Sequence, residues 1–326
     1  MTNEKHPTRT EIKDAILRSG YLLETRIEEL LRKKWGFVEA NSVYVDSITG
    51  KTRELDIYTL RADKAGPNDF DFLFTSLLIE CVNNPYPLIC FIKEPLMGLL
   101  QHYNVKIAGL PTKILQAAIP KKKKVESNKK EQKDEDPWQR LSDYLEMDKY
   151  HHYCMGKIAT QYCSVAPKKS GSKQEWLALH EGNHFDTFRK LCDATEYHIK
   201  KYYDDWTFID EKEKLNLTFY YPVLIIQGEL LEATPKLRSV SLRKSKHIQF
   251  QFSDIINGRE TIYHVDIIQE KHLKTYLEQI EKEIMQTVRL LRRRHKVVRV
   301  SMDKIIEQAK KEKTPGKIRS VFDFET

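Results

Sequence analysis

No apolar run in the chain approaches the length of a membrane span, which excludes a helical transmembrane segment. The polar start MTNEKHPTRTE lacks a signal-peptide core, so the expected location is cytoplasmic. Cysteine is scarce: Cys81, Cys90, Cys154, Cys163 and Cys192 are odd in number and widely scattered, which fits a reducing compartment. His151, His152, Cys154 and Cys163 bring together metal-ligand types but lack the paired spacing of a zinc finger.

What is present sets the outer bounds. With 326 residues and 40% hydrophobic content, the chain can bury a sizeable core in one large domain or in a domain with an insertion. A formal charge of +8 favours polyanionic partners, although lysine-rich surfaces also occur on proteins that bind no nucleic acid.

The stretch from Arg53 to Lys93 places two acidic residues in an otherwise apolar strand pattern. Leu55 and Ile57 alternate with Glu54, Asp56 and Tyr58, the period of a half-buried strand whose polar face carries Asp56. Leu77 to Val82 reads as a second strand, apolar except for Glu80. A carboxylate inside a buried strand costs several kcal/mol unless a metal ion, a base or a proton neutralises it. Two carboxylates on adjacent strands suit a hard divalent cation such as Mg²⁺.

This order, an Asp followed by a strand bearing Glu, resembles the PD-(D/E)xK nuclease superfamily of restriction-endonuclease-like enzymes, which cut nucleic acids with Mg²⁺. The resemblance maps the metal-binding Asp onto Asp56 and the Glu of the second half-motif onto Glu80. The lysine that the family carries two residues later is Val82 here, on the same face as Glu80. Asn84 and Lys93 are the nearest polar replacements in sequence. The resemblance implies a site of Asp56, Glu80 and Glu24, with Mg²⁺ or Mn²⁺ held by Asp56, Glu80 and the Cys81 carbonyl.

Elsewhere the chain supports that architecture. Thr10 is a plausible cap for a first helix ending near Gly20. In the next helix Leu23, Ile27, Leu30, Leu31 and Trp35 form one stripe, and Gly36 stops it. Glu24 lies within the stripe, either as a helix-start acid favoured by the dipole or as a site residue. Its GYLLE context is similar to the GFPLE helix of uncharacterised restriction-endonuclease-like proteins. Two alternating runs meeting at Thr49, Gly50 and Lys51 predict a β-hairpin that delivers Asp56 to the sheet, and PLICFIK adds a strand. LNLTFYYPVLIIQG, HIQFQF and ETIYHVDIIQ are later strands, and PVLIIQG resembles the family's recurring PVLVVDG. Between them, PKKKKVESNKKEQKDEDP predicts a mobile charged loop, and the residues after it predict helix.

Two further features carry chemistry. His180, Glu181 and His184 match H-E-x-x-H, the zinc-hydrolase helix motif, but Gly182 sits inside it and no third ligand follows, so the start of a core helix is the favoured reading. One terminal helix ends in Arg289, Arg292, Arg293, Arg294 and Lys296, more cations than the helix dipole requires and a candidate phosphate contact. The expected architecture is α/β, a restriction-endonuclease-like mixed central sheet flanked by helices. Residues 1–102 and 176–326 form its core, and residues 103–175 a largely helical insertion. The expected function is a metal-dependent endonuclease acting on DNA, alone, as a homodimer or with a partner protein, and away from membranes. The alternatives are a nuclease-fold binding module that lost its chemistry with the lysine, and an HExxH zinc hydrolase.

Overall fold

The computed structural model describes residues 6–46, 49–93, 105–120, 137–154, 157–170, 173–179, 184–204, 214–256 and 259–311. Helix α1 (Arg9–Arg18) is capped by Thr8 rather than Thr10. The Thr8 hydroxyl accepts from the Glu11 amide at 3.2 Å and the Glu11 carboxylate accepts from the Thr8 amide at 2.7 Å, a reciprocal box that fixes the helix start. Helix α2 (Tyr21–Arg32) buries Leu23, Ile27 and Leu31 at helical spacing. Gly36, at φ +93°, then turns the chain into a strand in a conformation that other residues rarely adopt.

The strands follow as β1 (Phe37–Val45), β2 (Thr52–Lys64), β3 (Phe72–Val82), β4 (Leu88–Lys93), β5 (Lys106–Leu110), β6 (Lys113–Leu115) and β7 (Trp138–Arg140). A short helix α3 (Leu141–Tyr144) leads to β8 (Ile158–Ser170) and β9 (Lys173–Leu179), and the long helix α4 (Phe185–Asp204) comes next. The final third holds β10 (Asn216–Ile226), β11 (Leu230–Lys236), β12 (Ser239–Lys244), β13 (His247–Ile256), β14 (Arg259–Gln269), α5 (Leu273–Arg293) and α6 (His295–Lys311).

The chain is thus mixed α/β, built on one large mixed sheet in the order β1-β2-β3-β10-β14-β13-β8-β4-β11-β12, with β5 against β10 and β9 against β8. The predicted hairpin is β1–β2, antiparallel, and β3 continues it antiparallel. β3 and β14 both run parallel to β10, so β10 is buried on both faces and reads as a continuous apolar run. Alternate residues of β3 then face different helices. Leu77 and Ile79 join a core with Leu23 and Ile27 of α2 and Ile280 and Leu291 of α5, while Leu78 joins one with Phe188 and Leu191 of α4. No helix among the described residues is long and apolar enough to cross a membrane.

Two expectations need correction. The described part of residues 103–175 is mostly strand: β8 pairs with β4 and β13, and β5 with β10, so these residues extend the main sheet rather than form a helical appendage. The strand expected at PLICFIK is β4, which lies at the far side of the sheet, between β8 and β11. The terminal helix is two helices broken at Arg294, whose backbone leaves helical geometry while its guanidinium bonds Glu146 and lies 4.9 Å from the Tyr144 ring. The predicted charged loop falls largely outside the described residues.

Gly109 shows how closely β5 is fitted to β10. It sits at φ +107°, and a Cβ there would lie 1.9 Å from the Asn216 carbonyl oxygen. Backbone strain and overpacking together predict that Gly109→Ala lowers stability by about 2–4 kcal/mol. Urea unfolding checks this, and an unchanged midpoint would contradict the placement of β5.

Candidate functional site

The site begins where β2 and β3 part. Their ladder ends at Ile57 opposite Ile79, and one residue further the two carboxylates substitute for backbone partners. The Asp56 amide donates to Glu80 Oε1 at 3.2 Å, and the Cys81 amide donates to Asp56 Oδ2 at 2.7 Å. Each acid is therefore oriented by the other's strand, which fixes both side chains without a loop.

A third group comes from α4. Lys190 Nζ lies 2.7 Å from Glu80 Oε2 and 3.5 Å from Asp56 Oδ1. Helix α4 is set against this part of the sheet by Phe188, Leu191, Cys192 and Ala194, all buried, with Phe188 stacked 4.5 Å from Phe250. The buried Tyr44 of β1 donates its hydroxyl to the Lys190 carbonyl at 3.2 Å and holds the helix at that residue. The side chains of Lys190 and Asp56 retain 24% and 20% exposure and Glu80 only 7%, so the site opens to solvent on the Asp56 and Lys190 side.

The electrostatics follow from that burial. Desolvation, and then the charge of Asp56, push the Glu80 carboxyl up to about 8, with Lys190 pulling the other way. For Lys190, burial favours the neutral amine, but the adjacent Glu80 and Asp56 outweigh it and raise its pKa. Burial and the surrounding acids hold the Cys81 thiol well above its ordinary range, so its sulfur is not a ready ligand. Glu24 stands in the first turn of α2, half-buried, its pKa raised by burial and then by Asp56. It belongs to the same electrostatic neighbourhood but does not complete a set with Asp56 and Glu80 whose ligand atoms all lie within 4.8 Å of one another.

None of the positions weighed in the sequence supplies the cation beside the two acids. Val82 packs against the apolar cluster on the α4 side of the sheet. Asn84 is occupied structurally: its Nδ2 donates to the Tyr86 carbonyl and its Oδ1 accepts from the Gly228 amide, each at 2.8 Å. Lys93 sits on distant β4, opposite Ile158 of β8. Lys190 escaped the sequence reading because it is 110 residues from Glu80 and looks like one of many surface lysines. The only available signal was its place inside the buried stripe of Phe188, Leu191 and Cys192.

The other sequence candidates separate. His180 and Glu181 lie outside the described residues. His184 is buried just before α4, and residues 173–179 form strand β9, so α4 begins one residue past the last histidine of H-E-x-x-H. Of the basic cluster, Arg292 donates to the Lys64 carbonyl at 2.6 Å, Arg294 bonds Glu146 and Arg289 donates to Gln286 at 3.2 Å, while Arg293 and Lys296 are exposed. All five cysteines are free thiols, and all are buried.

No family model, curated protein or solved structure matches the chain.

A carboxyl whose pKa is higher in the folded chain than in the unfolded one binds its proton more tightly when folded. Its contribution is full below the ordinary value of 4.5 and is lost as pH rises through about 8. The metal-free protein should therefore show a lower urea midpoint at pH 9 than at pH 5, and Glu80→Gln should shrink that difference. A Glu80→Gln protein with the full wild-type pH dependence would contradict the burial of this group.

Proposed function

We propose that the chain is a metal-dependent nuclease of restriction-endonuclease-like type, in which Lys190 of α4 takes the place of the motif lysine absent at position 82. The observation that carries this reading is a single ammonium within reach of both Asp56 and Glu80, two acids on neighbouring strands. The donor chemistry fits a hard divalent ion: two carboxylates come together, one nearly buried and one reaching solvent. Mg²⁺ or Mn²⁺ held by Asp56 and Glu80, with the Cys81 carbonyl and Glu24 nearby, would lower the pKa of a bound water and polarise the scissile phosphate.

The chain's own residues do the rest. Glu80 is held by Lys190, and Asp56 by the Cys81 amide, so neither carboxylate has to reorganise to meet substrate. Lys190 places a fixed positive charge in a partly dry site, where it stabilises negative charge growing on phosphate oxygens more strongly than it would in water. Glu24, its pKa raised by burial and then by Asp56, would take up a proton more readily than an exposed glutamate. Arg293 and Lys296 offer phosphate contacts away from the chemistry. The neighbouring Arg292 is bonded at Lys64, eight residues along β2 from Asp56, which is roughly 26 Å at the rise of a strand. They suit the flanking backbone of DNA rather than the scissile bond.

The alternative, a binding module on a nuclease-like fold, has one observation in its favour: Lys190 already pairs with both acids without a metal. Cleavage of plasmid and single-stranded DNA separates the two readings. Wild type should cut with Mg²⁺ or Mn²⁺, Asp56→Ala should not, and Lys190→Ala should lose ~10²-fold or more. Adding Val82→Lys to Lys190→Ala should restore part of the rate, because position 82 shares the Glu80 face. Cleavage undiminished by Asp56→Ala rejects this site, and tight salt-sensitive DNA binding without cleavage selects the binding module.

A further inference from the structure

A second cluster of ligand-type side chains lies on a different part of the sheet. His152 belongs to a single 3₁₀ turn (His152–Cys154), His247 opens β13, and Asp266 lies in β14. The β13–β14 register puts Gln249 directly opposite Asp266, with His247 two residues away on the same face. His152 Nε2 lies 3.0 Å from Asp266 Oδ2, and His247 Nε2 lies 2.7 Å from Asp266 Oδ1. One ligand atom from each of the three residues lies within 4.8 Å of the other two.

Each inner group is held from behind. Glu283 Oε2 of α5 lies 2.7 Å from His152 Nδ1, and the hydroxyls of Tyr276 and Tyr153 donate to Asp266 Oδ2 at 2.6 and 3.0 Å. A carboxylate on the far nitrogen of an imidazole favours the Nδ1–H tautomer and leaves the Nε2 lone pair facing inward. Burial alone would lower the His152 pKa, but Asp266 and Glu283 raise it to about 10, so with no ion bound the ring carries a proton toward each carboxylate and an ion would take the place of the Nε2 proton. Nitrogen lone pairs and a buried carboxylate repel each other unless something positive lies between them, either a proton on each ring or one metal ion.

The surroundings leave room for the ion. The cluster is not sealed. His152 and His247 line a cavity of about 300 Å³, together with Gln249, Lys157, Glu232 and Gln279. Gln249 is 7% exposed, and its Oε1 has no hydrogen-bond partner, although its Nε2 donates to the His152 carbonyl. A buried, unpartnered oxygen on the strand position facing Asp266 is costly for a purely hydrogen-bonded network and natural beside a cation. The neighbouring trio of His151, His152 and Glu283 is fully buried, and His151 Nε2 is engaged with the Tyr221 hydroxyl at 3.1 Å, so it forms a wall rather than an opening.

We infer that His152, His247 and Asp266 form a second metal centre for a divalent transition ion of the zinc type, with Gln249 Oε1 beside it and one coordination position open to the cavity. Two imidazoles and one carboxylate select such an ion over Mg²⁺, which takes oxygen ligands. The centre is independent of the Asp56 site: it uses none of its residues, and it stands whether or not the chain is a nuclease. No local spacing could reveal it, since His152 and Asp266 are 114 residues apart.

The test uses the full chain carrying Asp56→Ala, which disables the carboxylate site, with Co²⁺ as the spectroscopic probe. This protein should take up one equivalent of Co²⁺ with visible bands from nitrogen and oxygen ligation. Zn²⁺ should displace the Co²⁺, and a hundredfold excess of Mg²⁺ should not. His247→Ala, at the partly exposed rim, should weaken Co²⁺ binding by at least ~10²-fold with an unchanged circular dichroism spectrum, and Tyr276→Phe should weaken it by ~10-fold or more. A parent protein that binds no Co²⁺ leaves His152 and His247 as protonated partners of Asp266 and overturns the proposal. Equal binding by the parent and a folded His247→Ala protein overturns it as well.

Discussion

The candidate active site depends on one constraint: Glu80 occupies a strand sealed by apolar layers on both faces. A lone carboxylate there would cost several kcal/mol, so the fold must bring compensation to it. It does so from three directions. The Asp56 amide on β2 donates to one oxygen, Lys190 on α4 binds the other, and the mouth beside Asp56 and Lys190 stays open to solvent. Even so, burial outweighs the ammonium and leaves Glu80 avid for a proton. A group in that state is also avid for a metal ion, which is the physical link between its discomfort and the proposed chemistry.

The sheet order explains why these groups meet. The early hairpin supplies Asp56 and the neighbouring strand supplies Glu80, while β10 returns from the last third of the chain to lie beside β3 and bury it. Helix α4 precedes β10 in sequence and crosses the face on which Glu80 and Val82 lie. A lysine on that helix therefore reaches Glu80 from the face that position 82 shares. Because Lys190 arrives from the helix layer, Val82 is free to stay in the apolar packing.

Much of this was legible in the sequence. The stripe of Leu23, Ile27 and Leu31, the alternating hairpin, and the apolar runs of β3 and β10 each carry a local pattern that the structure reproduces, although α2 ends at Arg32, four residues before the expected stop at Gly36. The failures share a physical cause, which is that distant partners overrode local pattern. β8 mixes polar and apolar residues and acquires strand geometry from its neighbours β4, β13 and β9. The break between α5 and α6 has no glycine or proline, and Arg294 is instead drawn to Glu146 and Tyr144. Lys190, like the grouping of His152 with His247 and Asp266, exists only once the sheet is assembled. The pair of acids was visible because adjacent strands of one hairpin unit carry them, and their cation was not because a helix brings it.

The proposal that Asp56 and Glu80 form a metal site with Lys190 as its resident cation can be tested by anomalous diffraction from crystals soaked in Mn²⁺. An anomalous peak is expected in contact with a carboxylate oxygen of Asp56 and one of Glu80, with Lys190 Nζ still bordering the same opening. A crystal that takes up Mn²⁺ elsewhere, while Lys190 continues to bridge the two acids with no peak beside them, would contradict it.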